Sequence, residues 1–160
     1  MPKRNQRKLN SYDLSGDFGI GKDSKDREFY FDLEDYDLIK EFTWCVSGHS
    51  VETKLYLNTS LTMHKLVMNY FGDLVIDHKN SLIYDNRKSN LRVATKIQNG
   101  QNRKKAKGWR FEKKKKRYSA RIVVNKKEIH LGYFDNEQLA RSAYVEARKE
   151  YFGEFAPMEN

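Results

Sequence analysis

The residues best suited to chemistry lie in one stretch of the chain, IDHKNSLIYDNRKSNLRVATKIQNGQN, from Ile76 to Asn102. It carries an Asp77-His78 pair, Asp85-Asn86-Arg87, Asn90-Leu91-Arg92 and, further on, Asn99 and Asn102. The carboxylate of Asp77 and the amide carbonyl of Asn99 are hard oxygen donors suited to Mg²⁺. That ion takes one or two protein ligands and completes its shell with water and phosphate. His78 has a side chain whose unperturbed pKa lies near neutrality, so it can take a proton from an attacking water at pH 7. Metal-assisted hydrolysis at a phosphate is the chemistry such a set can perform.

Elements of secondary structure must bring these groups together. Leu74-Val75-Ile76 reads as a short strand running into Asp77-His78, and NLRVA, after a polar loop, reads as a second. Thr95 and Gln98 form a capping box that starts a helix at Lys96. Gly100 and the basic linker RKKAKG keep that helix short. Such a strand–loop–strand–helix order places Asp77 and His78 at a strand end and Asn99 on the first turn of the helix. Neighbouring side chains on a regular strand point to opposite faces. The chain must therefore bend at Asp77-His78, or the site must sit on the rim of the strand pair.

The segment before this motif is polar and acidic, with 11 acids against four bases from Asp13 to Glu52. Residues 1–27 read as a mostly flexible tail with one short strand at Phe18 to Ile20. Phe29-Tyr30-Phe31 reads as an aromatic strand, and EDYDLIKEF as a short helix burying Tyr36, Ile39 and Phe42. Strands are expected at Thr43 to Val46 and Lys54 to Leu57. Met63, Leu66, Val67 and Tyr70 recur at helical spacing and mark one buried face of a helix that Gly72 ends. His64 beside this stripe reads as packing or an N-terminal cap, a contact with the site being the lesser reading. The acids from Asp26 to Glu41 scatter along a helical pattern and read as a solvated face. Cys45, next to Trp44 in an apolar run, is expected to be buried.

The C-terminal third changes character. Gly108 to Glu112, Tyr118 to Val124 and Glu128 to Phe134 read as three strands, the last two joined by a tight Asn125-Lys126 turn. Asp135 is placed to cap a final helix with Gln138 at the third position, and Leu139, Ala143 and Ala147 line one side of it. From Arg103 to Lys127 there are 13 Lys and Arg residues and a single acid, Glu112. This block alone carries +12, so the remainder of a chain whose net charge is +9 sums to −3. Charge so concentrated points to a polyanion-binding face. The run Lys113 to Lys116 joins two basic strands, which favours phosphate contact over a solvated loop tip.

Composition excludes several classes of protein. No stretch of the 160 residues approaches the ~20 apolar residues of a spanning helix. No apolar segment follows the basic N-terminus, so no secretory leader is expected. A single cysteine excludes an internal disulfide framework and a cysteine-based zinc site, and suits a reducing compartment.

The segment Asp77 to Asn102 resembles the HNH endonuclease motif, the ββα-metal fold, which runs Asp-His, a turn, Asp-Asn-Arg, Asn-Leu-Arg and an Asn-containing helix. The spacing from Asp77 to Asp85, Asn90 and Asn99 is similar to that of phage and intron-associated members. The resemblance implies that His78 is the general base, that Asp77 and Asn99 bind one divalent metal at the scissile phosphate, Mg²⁺ or Mn²⁺, and that Asn90 pins the loop and orients His78. MHKLVM, from Met63 to Met68, is similar to a helix that precedes the motif in this group, and Asn80-Ser81-Leu82 replaces the family's Asn-Gly turn.

The C-terminal module resembles the Apetala-two/ethylene-response-factor DNA-binding domain. The resemblance rests on Gly108-Trp109-Arg110, Tyr118-Ser119-Ala120-Arg121-Ile122, His130-Leu131-Gly132-Tyr133-Phe134 and a helix ending FGEFA. It implies a three-stranded sheet in the major groove with Arg110, Arg117, Tyr118, Arg121 and His130 facing double-stranded DNA beside Lys113, Lys114, Lys115 and Lys116. Tyr118 and His130 stand where the plant domains have Trp, so no plant-type base preference is carried over.

The expected fold is α+β. A tail (1–27) precedes an HNH module (28–106, core motif 74–103), followed by a three-stranded antiparallel sheet packed on one helix (107–160). The expected function is one-metal hydrolysis of DNA phosphodiester bonds, with no membrane partner, and a mobile-element role in a bacterial or phage-infected cytoplasm by resemblance. A monomer is compatible with the sequence. The alternatives are a non-catalytic DNA-binding regulator on a degenerate HNH fold and, less favoured, an RNA-binding protein.

Overall fold

Two glycines and two phenylalanines organise the beginning of the structure, a computed structural model that describes residues 9–56, 59–103 and 106–157. Strands β1 (Ser11–Asp13), β2 (Gly19–Lys22) and β3 (Glu28–Phe31) form an antiparallel sheet in that order. In its register Gly19 faces Phe31 and Gly21 faces Phe29. Each ring lies over its glycine so closely that a Cβ there would stand 2.3 and 2.2 Å from ring carbons. Tyr12 meets Phe29 and Phe31 edge-on. The expected tail is therefore corrected within 9–27. Its low apolar content misleads, because the glycines contribute space for the rings instead of side chains.

A 3-10 turn (Leu33–Asp35) leads into α1 (Tyr36–Ile39), where Ile39 is fully buried and Tyr36 and Phe42 are half-buried, as expected of that short helix. A second antiparallel sheet holds β4 (Cys45–Val46), β5 (Val51–Lys54) and β6 (Ser60–Thr62). The strand expected at 54–57 lies earlier, and Leu57 is outside the described residues. Ser47 sets the shift: its hydroxyl accepts the N–H of Ser50 at 3.0 Å and its own N–H reaches the Ser50 carbonyl at 2.7 Å. That turn starts β5 at Val51. Alternation buries Trp44 and Val46 and leaves Cys45 exposed, which corrects the expectation of a buried thiol.

Helix α2 (Met63–Val67) ends before Gly72. Asn69, at φ 46°, takes the left-handed conformation, and the N–H groups of Asn69 and Tyr70 return to the carbonyls of Leu66 and Lys65. This paired closure satisfies the last carbonyls of the helix. Phe29, Phe31, Ile39, Trp44, Val51 and Met63 form the centre of one core, with Ile76 and Leu91 contributed by the hairpin of β7 (Val75–His78) and β8 (Leu91–Ala94).

The chain divides into two compact units, Met1–Lys96 and Ile97–Asn160. The division falls inside α3 (Lys96–Gln101), earlier than the boundary expected after residue 106. In the second unit β9 (Trp109–Glu112), β10 (Arg117–Val124) and β11 (Lys127–Phe134) form an antiparallel sheet with β10 central. Asn125 and Lys126, at φ 49° and 65°, make the tight β10–β11 turn in the conformation that matches strand twist. Helix α4 (Glu137–Phe152) packs Tyr144 and Ala147 on Ile122. Its cap is Asn136, which accepts the N–H of Leu139 at 2.9 Å, one residue later than the expected Asp135. The fold is thus mixed α+β, with four short sheets among the described residues. Among them no helix is long and apolar enough to cross a membrane.

Gly21→Ala forces Phe29 out of its place and is expected to cost about 1–3 kcal/mol, as overpacking does. Gly48, with nothing within 4 Å of a built Cβ, is the control, and Gly48→Ala is expected to stay within about 0.5 kcal/mol. Urea midpoints measure both.

Acid sensitivity centres on Asp23. Burial alone would raise its pKa, but the Arg27 guanidinium and the N–H groups of Val46, Arg27 and Lys25 outweigh that and hold it at about 2. A depressed carboxyl stabilises above its unfolded pKa and loses that contribution as pH falls through the folded value. Stability should therefore drop between about pH 5 and pH 2, and Asp23→Asn should remove about 2 kcal/mol of that dependence. An unchanged acid slope in the variant places the effect elsewhere.

Candidate functional site

Asp77 and His78 close β7, and their register is continuous, Asp77 opposite Arg92 and His78 opposite Leu91. The strand does not bend there, so the two side chains leave on opposite sides and His78, its last residue, stands at the rim. Both are buried, at 4% and 8% exposure. Arg92 donates from Nε at 2.9 Å and Nη2 at 2.7 Å to Oδ2 of Asp77. The buried carboxylate thus has a charge-assisted partner directly across the hairpin.

The loop from Lys79 to Asn90 is closed by its own polar residues. Asn90 Oδ1 accepts the N–H of Asn80 at 3.0 Å, its Nδ2 donates to the Asp85 carbonyl at 2.8 Å, and its own carbonyl accepts the Lys79 N–H at 2.8 Å. Asn90 therefore ties both ends of the loop to its middle. Asp85 accepts Nε and Nη2 of Arg87 and Nδ2 of Asn80, each at 2.8 Å. Burial would raise its pKa, but Arg87 and Asn80 bring it below the usual carboxylate range. Ser81 turns the chain at φ 60°, with its N–H on the His78 carbonyl at 2.8 Å.

This loop also docks on β3. The Tyr30 N–H donates to the Tyr84 carbonyl and the Asn86 N–H to the Tyr30 carbonyl, both at 2.8 Å. Lys88 bonds Asp32 through its N–H and Glu34 and Asp35 through Nζ, while the Arg87 guanidinium lies 4.4 Å from the Phe18 ring centre. Asn86 is thereby fully buried, and its Oδ1 sits 3.4 Å from Nε2 of His78. With Nε2–H donating to that oxygen, Nδ1 is the nitrogen left with a lone pair. Burial lowers the pKa of His78, against smaller upward pulls from Asn86, Asp77 and Asp85, so the ring is neutral at pH 7.

Two neighbours of His78 were not singled out for the site by sequence reasoning, which gave His64 a contact with it only as the lesser reading. Asn86 stood in the Asp-Asn-Arg motif without an assigned role. His64, on α2, meets His78 edge-to-face with ring centres 5.4 Å apart at 89°, and burial, then His78, lower its pKa to about 4. Asn99 is exposed on α3, which begins at the division between the units. Among the described residues no three His, Cys, Asp or Glu side chains converge as a metal site. Asp77, paired with Arg92 in the first unit, and the exposed amide of Asn99, in the second, are each hard oxygen donors of the kind Mg²⁺ takes.

In the second unit, Cα pairing and alternation sort the sheet into two faces. Arg110 pairs with Ser119, Arg117 with Glu112 and Arg121 with His130. An irregularity at Ala120/Arg121 leaves Leu131 as the extra residue, so His130 and Tyr133 share the face of Ser119 and Arg121, their rings 4.6 Å apart. Lys115 Nζ lies 3.8 Å from the Tyr133 ring centre. Tyr118 pairs with Phe111 and belongs to the other face, apart from Arg110, Arg117, Arg121 and His130 with which it was expected, and Tyr133 lies on theirs. Arg110, Arg117 and Arg121 pair with Glu112, Asp135 and Glu128. Lys113, Lys114, Lys115 and Lys116, all exposed in the turn, therefore carry the net positive charge of this face.

Compared with known proteins, the chain matches no family model, no curated protein and no solved structure.

Proposed function

We propose that the chain is a DNA endonuclease of HNH type whose C-terminal sheet grips the duplex. The observation that carries this reading is the held imidazole: His78, buried at a strand end with its pKa lowered by burial, is bonded through Nε2 to Asn86. The chain order β7, pinned loop, β8 and α3 supports the reading as an order of elements.

His78 Nδ1 takes a proton from a water, and the oxygen of that water attacks phosphorus while one bridging P–O bond breaks. The leaving oxygen takes its proton from solvent. By the motif resemblance, Asp77 and Asn99 are the residues that would hold a divalent cation, which when bound would supply positive charge against the phosphate and the leaving oxygen. Arg92 already compensates Asp77, so metal affinity without DNA is expected to be weak. Asn90 acts at one remove, by keeping the loop that carries Asn86 closed.

Affinity is assigned to the lysine turn and the Arg110, Arg117, Arg121 and His130 face. The arginine–carboxylate pairs there are exposed and individually weak, so phosphate oxygens can replace the carboxylates at little cost.

Incubated with plasmid DNA and Mg²⁺ or Mn²⁺, wild type should cleave. His78→Ala should lose about 10²–10⁴ in rate, the usual contribution of a positioned base, and still bind. Binding without cleavage by wild type would instead assign the non-catalytic regulator.

Log K should fall with log salt at a slope of about −4 to −5, given roughly four to six phosphate contacts. Replacing Lys113, Lys114, Lys115 and Lys116 with Ser should flatten the slope by about one for each lysine on a phosphate. An unchanged slope returns these lysines to solvent.

A further inference from the structure

We propose that His64 is a positioning residue for His78, its ring held by Thr62 so that it fixes the imidazole of the proposed base from the α2 side. The inference rests on the nuclease reading for its consequence, but the contact it invokes is independent of that reading.

Three observations meet at His64. Thr62 stands at the N-cap of α2, where a threonine ordinarily accepts a backbone N–H of the first turn. Here its side chain makes no cap bond, and Oγ1 lies 3.0 Å from His64 Nε2. The helix start gives up its usual cap for a bond to an imidazole. His64 Nδ1 is buried without a hydrogen-bond partner among the described residues, a cost that a phenylalanine or leucine at this position would not carry. Finally, the His64 and His78 rings stand perpendicular with centres 5.4 Å apart. Local rules broken at one residue, beside a candidate catalytic group, point to a role beyond packing.

The geometry explains what His64 adds. The bond from His78 Nε2 to Asn86 is long, 3.4 Å. A perpendicular ring alongside blocks rotation of the imidazole about that bond. Met63 and Val67 are buried in the core and anchor α2, and Thr62 fixes His64 on it. The sequence of contacts Thr62–His64–His78–Asn86 therefore ties the base to two separate elements, α2 and the 79–90 loop.

The test compares His64→Leu, His64→Phe and Thr62→Val with wild type. It uses kcat and KM for duplex cleavage with Mg²⁺, and the ring ¹H–¹³C resonance of His78 in the metal-free protein. His64→Leu is expected to lower kcat about 10- to 100-fold, the effect of a misplaced catalytic group, with KM within about twofold and a shifted His78 resonance. His64→Phe, which keeps a flat ring, should recover most of the rate, and Thr62→Val should fall between. Thr62→Val decides the matter if His64→Leu does not fold. Unchanged kcat and an unmoved His78 resonance, with only the melting temperature lowered, make His64 a packing residue and overturn the proposal. If wild type cleaves nothing, the nuclease reading fails by itself. The His78 resonance still decides the contact: a shift in His64→Leu sustains it, and an unmoved resonance overturns it.

Discussion

The backbone of Tyr30 is the support on which the candidate site depends. A polar loop cannot be buried unless its N–H and C=O groups find partners. The loop from Lys79 to Asn90 finds them on β3, the exposed edge of the first sheet, where Tyr30 exchanges one hydrogen bond with Tyr84 and one with Asn86. That docking buries Asn86 completely and brings its Oδ1 to His78. The loop's own bonds, through Asn90 and Asp85, fix its shape but do not attach it to anything. Attachment comes from Tyr30, Asp32, Glu34 and Asp35, all within the acidic stretch that composition alone reads as a solvated face. Those acids converge on Lys88, so their purpose is to seat the loop.

Legibility follows from the range of the interactions. The hairpin of β7 and β8 and the short α3 were readable because their signals are local: an apolar triplet, NLRVA and a capping box. The three C-terminal strands and the Asn125-Lys126 turn were readable for the same reason. Of the first sheet, strands near β2 and β3 were readable, but not β1 or the sheet itself, because it depends on Gly19 and Gly21 meeting Phe31 and Phe29, a pairing that no window of residues 9–27 contains. Tyr118 was expected beside Arg117 and Arg121, although alternation along β10 sends it to the other face, and Tyr133 joins His130 only because the irregularity at Ala120/Arg121 shifts the alternation of β11 by one residue. At the site, motif spacing singled out Asp77, His78 and Asn90, whereas His64 reaches His78 only through the fold.

Charge is divided between two tasks. In the first unit three ion pairs are inward-facing: Asp23 with Arg27, Asp85 with Arg87 and Asp77 with Arg92 each have a carboxylate no more than 4% exposed. A buried pair of this kind contributes little net stability, but losing one partner is costly, so such pairs fix geometry. In the second unit the pairs are exposed and the lysines of the 113–116 turn add charge with no acid between them. The same residue types thus serve as rigid clamps in one unit and as an exchangeable cationic surface in the other.

Asp77 and His78 show why adjacency in sequence is compatible with opposite physical demands. A carboxylate taken out of water needs a cation, and Arg92, facing it across the hairpin, provides one. An imidazole that is to accept a proton must instead stay neutral, which burial favours and a nearby cation would reinforce at the cost of its ability to be protonated. Alternation along β7 resolves the conflict by sending the carboxylate toward Arg92 and the imidazole toward Asn86 and His64, neither of which is charged at neutral pH. The straight strand therefore keeps the imidazole on the side of Asn86 and His64 and the carboxylate on the side of Arg92, so each group has the surroundings its charge state needs.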